Sequence, residues 1–182
     1  MKRSRIPRRA RGFTLIEVLI ALIVMAFGLL SLARVLGRSA QEEMEAYQRT
    51  QAITIAGDMA ARIANNSKQA AAYVGDYAPD AVTEDCTALP PDDLVERDRC
   101  EWRNRLRGID ILDAGRGIGA PIGARGCVLN PAPNRYVVAI AWQGLIATEA
   151  SDSPCGANQY GVANERTRRV FSTTFQVATL GS

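Results

Sequence analysis

From Phe13 to Ala33 the chain is apolar except for Thr14, Glu17 and Ser31, and such a run is about as long as a helix that crosses a bilayer. No other stretch constrains the fold as strongly, because a helix apolar all round has to meet lipid or other apolar helices on every side. Within it Glu17 is out of place. An acidic side chain near the bilayer interior costs roughly 2.5 to 3.5 kcal/mol on insertion scales, and it is retained as a rule only where a partner neutralises it. Glu17 therefore calls for a cation.

The segment before the apolar run, Met1 to Gly12, carries Lys2, Arg3, Arg5, Arg8, Arg9 and Arg11 and no acid. A secretory signal is cut after its apolar core, at small residues, whereas here the small residue Gly12 lies before the core. Cleavage after Gly12 would leave the apolar segment on the mature protein. Basic residues flanking a membrane helix stay cytoplasmic, so everything after Ala33 is expected outside the cytoplasm. Removing these six of the twenty-two Lys and Arg, and none of the nineteen acids, turns a net charge of +3 into −3. A slightly acidic mature chain has no global field to hold polyphosphate, which argues against a nucleic-acid partner.

Beyond the membrane segment, the 182 residues and 47% hydrophobic content suit one globular domain. Cys86, Cys100, Cys127 and Cys155 form an even set without Cys-x-x-Cys spacing, and the chain has no histidine. That pattern reads as two disulfides formed in an oxidising compartment. A four-cysteine zinc site usually brings its ligands in close pairs, and these gaps are long. Four cysteines allow three connectivities, which sequence leaves open. Neighbour pairing, Cys86 with Cys100 and Cys127 with Cys155, is the expectation because each bond closes its own local segment.

No proline interrupts the chain from Arg34 to Ala64, so the helix is expected to continue past the apolar run as an amphipathic stem. Ala52, Ile55, Ala56, Met59, Ala60 and Ile63 recur at three- and four-residue spacing on one face, with Asp58 and Arg62 away from its centre. Asn65-Asn66-Ser67 is the expected stop, giving a helix about 80 Å long. Gly28, Gly37 and Gly57 each cost about 1 kcal/mol relative to alanine. Tyr73 to Pro79 reads as a loop. Pro90-Pro91-Asp92-Asp93 ahead of Leu94, Val95, Trp102 and Leu106 predicts a short helix, with acids near its start and arginines near its end suiting the helix dipole.

The acids Asp92, Asp93, Glu96 and Asp98 suggest calcium, but interleaved with Arg97 and Arg99 they read better as a solvated helix face. Asp113 to Gly119 has the glycines of a phosphate-cradling loop without the strand before it or the helix after it, so a glycine-rich turn is expected. Gly126 to Leu129 and Tyr136 to Trp142 flank Asn130 to Asn134, the signature of an antiparallel hairpin with a five-residue connection. The second strand is apolar on both faces, as a central strand is. Gln143 to Glu165 reads as a long loop holding Cys155. Arg166 to Thr179 reads as the last strand, with Phe171, Thr173, Phe175 and Val177 on one face.

The run Gly12-Phe13-Thr14-Leu15-Ile16-Glu17, set between the basic leader and the apolar segment, resembles the processing site of the type IV prepilin family. The resemblance implies a peptidase that cuts after Gly12 and methylates the new amine on Phe13. It also implies that Glu17 pairs with the terminal amine of a neighbouring subunit during filament assembly. The implied fold is α+β and type IV pilin-like, a long N-terminal helix packed on a small antiparallel sheet. Its parts would be a cleaved leader (1–12), a transmembrane and assembly half (13–33), a stem (34–66) and a periplasmic globular domain (67–182).

Many major pilins have a proline in the membrane half; here only Gly28 stands there. More loosely, the stem ending at Arg62 to Asn66, the tryptophan in Cys100-Glu101-Trp102 and the run Val138 to Gln143 are similar to type IV pilus modification proteins of the PilV kind, which are minor pilins. That likeness implies a structural subunit of a tip or priming complex, needed for assembly and so for motility and adhesion. It would be held in the inner membrane before entering the pilus. Its partners would be the prepilin peptidase, other minor pilins, the major pilin, the assembly machinery and membrane lipid, with no cofactor.

Three other classes compete. A minor pseudopilin of type II secretion shares the leader, though the paired cysteines favour the pilus. A DNA-binding minor pilin would need a basic stripe, and Arg97, Arg99, Arg103, Arg105 and Arg107 are diluted by acids. Catalysis has little support, because there is no histidine and no Ser or Cys with a base at a recognisable spacing.

Overall fold

The structure, a computed structural model, describes residues 12–78, 85–109, 111–113 and 116–178. The leader Met1 to Arg11, Pro79, the Ala114-Gly115 part of the glycine-rich segment and Thr179 lie outside the described residues. One helix, α1 (Leu15–Asn65), opens the fold without a break, and the chain divides between Glu42 and Glu43 into two compact units.

Within the second unit, α1 buries Gln48, Ala52, Ile55, Ala56, Met59 and Ile63, the stripe expected from the three- and four-residue spacing, with Ala60 half-buried at its edge. The helix stops at Asn65, where a 3-10 turn over Ser67–Tyr73 takes over. Next comes β1 (Gly75–Tyr77), where the sequence reads as a loop. Three residues are too few to show alternation, and β1 exists because it pairs with a neighbour.

Helix α2 (Leu94–Leu106) begins as expected after the prolines, and the Asp93 carboxylate caps it by accepting from the Glu96 N–H at 3.1 Å. The glycine-rich segment forms a small antiparallel ladder of β2 (Leu112–Asp113) and β3 (Arg116–Gly117). Then come β4 (Arg125–Ala132), β5 (Arg135–Gln143) and β6 (Arg168–Gln176). The main sheet is antiparallel in the order β1-β4-β5-β6.

The hairpin between β4 and β5 is tighter than expected. Asn130 and Pro131 belong to β4, at an irregularity between Leu129 and Ala132, and only Pro133 and Asn134 turn the chain. A proline lacks the N–H a regular ladder needs, but a bulge leaves that N–H unused. Asn134 supplies the left-handed backbone (φ 58°) that asparagine tolerates. The last strand is also shorter than read, because Val162–Thr167 is a 3-10 turn.

Central strand β5 has both faces covered. Val138, Ile140 and Trp142 join Val128, the α1 stripe and Trp102 of α2 in the main core. On the opposite face Ala139 and Ala141 pack with Cys127, Cys155, Tyr160 and Val170, so the long loop after β5 is the second layer. Cys127 and Cys155 are bonded and pin that loop to β4, while Cys86 and Cys100 are bonded and pin the segment before α2 to its middle. In the chain-entropy account the first of these is worth about 3 to 4 kcal/mol, a model-dependent figure. Arg168, 4% exposed, completes the fastening by donating to the carbonyls of Ser151, Ser153 and Cys155 and pairing with Glu165 at 2.7 Å.

Trp102 joins the layers. Its indole N–H donates to the Ile55 carbonyl of α1 at 3.0 Å, and its ring meets Tyr77 edge-on with centroids 4.8 Å apart. The outer edge of the ring also comes against the β4 backbone at Gly126, where a Cβ would fall among Trp102 and Leu106 atoms. Asp98, read as part of a solvated face, is buried instead. It accepts from the Tyr73 hydroxyl at 2.6 Å and pairs with Arg62 at 2.6 Å. Its helix position points at α1, a fact that a local charge pattern does not reveal.

Gly126→Ala should destabilise the domain by about 1 to 3 kcal/mol through overpacking, read as a lowered denaturation midpoint; an unchanged midpoint would show that Trp102 has room to retreat. A second expectation concerns alkali. Burial, then the hydrogen bond to Asp98, pushes the Tyr73 phenol up to about 12, and burial pushes Tyr160 up to about 12. A phenol whose folded pKa is raised favours the fold while it is neutral. This contribution is intact below the ordinary tyrosine value of about 10 and is lost as pH rises toward the folded value. Unfolding followed alongside tyrosinate absorbance should therefore show stability falling between about pH 10 and 12; ionisation of all five tyrosines near pH 10 in a folded chain contradicts it.

Candidate functional site

The first turn of α1 is built by Thr14. Its carbonyl accepts from the N–H groups of Glu17 and Val18 at 3.1 and 3.3 Å, and its hydroxyl accepts from the Glu17 N–H at 3.3 Å. A hydroxyl placed this way satisfies one of the donors a helix leaves open at its start. The Thr-x-x-Glu spacing carried this signal, yet Thr14 is absent from the expected site residues.

Glu17 sits in that same turn, where a carboxylate suits the positive end of the helix dipole. Its carboxylate has no hydrogen bond or ion pair among the described residues; only its backbone N–H is engaged. Gly12 and Phe13 precede the helix as non-helical backbone, and a Cβ built on Gly12 would meet no atom within 4 Å. The chain there is exposed, and a side chain at position 12 would clash with none of the described residues.

Every described side chain from Gly12 to Met44 is exposed, including a long series of Leu, Ile, Val, Met and Phe. Among the described residues α1 is long and apolar enough to cross a membrane. Inside it the Ser31 hydroxyl donates to the carbonyls of Phe27 and Gly28 at 3.0 and 2.9 Å. That return bond hides the hydroxyl from an apolar environment. Gly28 leaves the helix unbroken.

Of the four acids read as a calcium candidate, Asp93, Glu96 and Asp98 have structural partners. Asp93 is a helix cap, Glu96 pairs with Arg99 and Arg103, and Asp98 is tied to α1. No group of three or more possible metal ligands occurs among the described residues. The basic stripe is similarly occupied: Arg105 pairs with Asp58 at 2.8 Å, and Arg97 donates to the Pro90 carbonyl at 3.0 Å. Guanidinium groups already held by carboxylates are poor phosphate binders.

Residues 7–33 match the family model described as the prokaryotic N-terminal methylation motif. Comparisons with curated proteins and with solved structures return no match. The matched stretch spans the glycine, the first helical turn with its Glu17 carboxylate, unpartnered among the described residues, and the exposed apolar run. The match supports a type IV prepilin-like protein, and the long N-terminal helix with a small antiparallel four-stranded sheet is a type IV pilin-like α+β arrangement.

Proposed function

We propose that the protein is a minor pilin of a type IV pilus, a structural subunit of a tip or priming complex on which filament assembly starts. The observation that carries the reading is the Glu17 carboxylate, unpartnered among the described residues, inside the matched motif and in the first turn of an exposed apolar helix. Prepilin peptidase cuts after Gly12, and the new amine on Phe13 is methylated. Residues 13–33 hold the subunit in the inner membrane, with the domain on the periplasmic side. Glu17 then takes the terminal amine of a neighbouring subunit as its counter-charge, which removes the cost of burying a lone carboxylate in hydrocarbon.

Two disulfides support a periplasmic domain, since such bonds persist in oxidising compartments. The subunit's contribution is structural, and the domain's charged residues serve its own packing. The methylation motif is common ground with the minor pseudopilins of type II secretion, so that reading is the second, and a deletion strain separates the two.

Mass spectrometry of the mature protein should find a chain that begins at methylated Phe13. Gly12→Val should leave the leader attached, because a β-branched side chain blocks the peptidase's approach to the bond. A native chain that still begins at Met1, in cells with an active prepilin peptidase, contradicts the reading. Deleting the gene should remove surface pili and spare type II secretion; the reverse outcome assigns the subunit to secretion.

A further inference from the structure

In the main sheet β5 is the only strand beside β6, so one long side of this nine-residue strand is an edge. Two hydrogen bonds fix which backbone groups lie on it. At one end the Val177 N–H donates to the Asn134 carbonyl at 2.9 Å, and at the other the Thr167 carbonyl accepts from the Gly144 N–H at 2.8 Å. The register between them runs without a shift, and in an antiparallel pair successive residues turn their N–H and C=O groups alternately toward and away from the neighbour. The odd-numbered residues of β6 therefore face β5, and Val170, Ser172, Thr174 and Gln176 turn both backbone groups outward. Among the described residues none of those groups has a hydrogen-bond partner. The edge is closed only at its start, where the Arg166 carbonyl accepts from the Thr148 N–H at 2.7 Å and the Arg168 N–H turns back to the carbonyls of Asn164 and Glu165.

Proteins usually blunt an edge strand with a lysine, a proline, a bulge or a short length. From Val170 to Gln176, β6 has no charged residue, no proline, no glycine and no bulge. Ser172, Thr174 and Gln176 are exposed on one face, and on the other Phe171 and Phe175 stay half-buried although both pack against the main core. Such an edge suits the addition of another strand. No other strand among the described residues offers a second copy a matching edge: β4 and β5 have neighbours on both sides, β1 has three residues, and β2 and β3 have two each. β6 fits itself. Turned about a two-fold axis through Ser172, two such strands place Val170 opposite Thr174, Phe171 opposite Thr173, Arg169 opposite Phe175 and Arg168 opposite Gln176. No like charges are opposed, and each Phe171 lies diagonal to its counterpart, within reach of an aromatic side chain. Self-complementarity of this kind is what a closed two-fold contact requires. We propose that β6 pairs antiparallel with β6 of a second copy of this chain, joining two four-stranded sheets into one.

The test uses the full chain in detergent micelles and reads the register by cysteine cross-linking. Residues directly opposed in a hydrogen-bonded antiparallel pair have Cα atoms about 5.5 Å apart, within disulfide range. Ser172→Cys lies on the axis, so mild oxidation should link two chains about tenfold faster than in Thr174→Cys, whose two cysteines would lie about 14 Å apart. Mixing Val170→Cys with Thr174→Cys should restore the fast rate. Adding Thr174→Pro to Ser172→Cys should slow the rate about tenfold, because proline removes an outward N–H and leaves the bonds to β5 in place. Peptide mapping of the two native disulfides checks that each variant is folded. If the proline variant fails that check, Thr174→Lys, which sets a charge on the same exposed edge, replaces it. Equal rates in Ser172→Cys and Thr174→Cys, or a rate unmoved by the edge variant in a folded chain, overturn the strand pairing. In cells the Ser172→Cys product should have the mass of two copies; a product joined to a different protein, or none, overturns the second copy as the occupant.

Discussion

The domain depends on one tryptophan reaching three elements. Trp102 projects from α2, hydrogen-bonds the carbonyl of Ile55 on α1, and brings the edge of its ring against β4 where Gly126 has no side chain. The combination is physically economical. An aromatic ring contributes a large apolar area, its N–H needs an acceptor when buried, and a helix carbonyl has a second lone pair to offer. Without the glycine the ring could not approach the sheet this closely, and without the ring the core shared by α1 and α2 would lose its largest fully buried side chain. The charged rims of the two helices are then closed by Arg62, which reaches Asp58, Asp98 and Glu101. Burial by itself would lower the pKa of this guanidinium, but Glu101, Asp58 and Asp98 together hold it above its ordinary range. Arg62 stays charged, and Asp98 has a partner that compensates its burial.

The far face of the sheet is covered by a different means. A loop with little regular structure cannot bury enough apolar surface to hold itself in place. Here it is fastened by a disulfide from Cys155 to Cys127 and by Arg168, whose guanidinium gathers three loop carbonyls. Tyr160 adds a hydrogen bond to the Gly123 carbonyl at 2.9 Å. The helix-covered face thus relies on hydrophobic packing and the loop-covered face on covalent and charged fastening. Small secreted domains that lack apolar bulk use the same kind of staple.

What the sequence made legible follows from which forces are local. The stem stripe, the Asp93 cap and the central strand were readable because periodicity and capping act within a few residues. The Gly12 to Glu17 motif was readable for another reason: it is addressed to other proteins and so must be written in contiguous residues. The misses share a cause too. β1 exists only through its pairing with β4, Asp98 is buried only because α1 crosses its face, and Pro131 is allowed in β4 only by the irregular register opposite Tyr136. Each is decided by a partner distant in sequence.

On the proposed reading, assembly and folding are carried by different residues. Glu17 makes no side-chain bond among the described residues, and the core begins on α1 only at Gln48. A carboxylate in hydrocarbon costs roughly 2.5 to 3.5 kcal/mol, and the proposed pairing with a neighbour's amine would account for its presence. The most direct test compares Glu17→Leu with the native chain in a strain lacking its own copy, reading membrane level, disulfide formation and surface pili together. The account predicts normal protein level and normal disulfides with pili lost, because the substitution removes only the charge that a neighbour's amine requires. Full piliation by Glu17→Leu would contradict it.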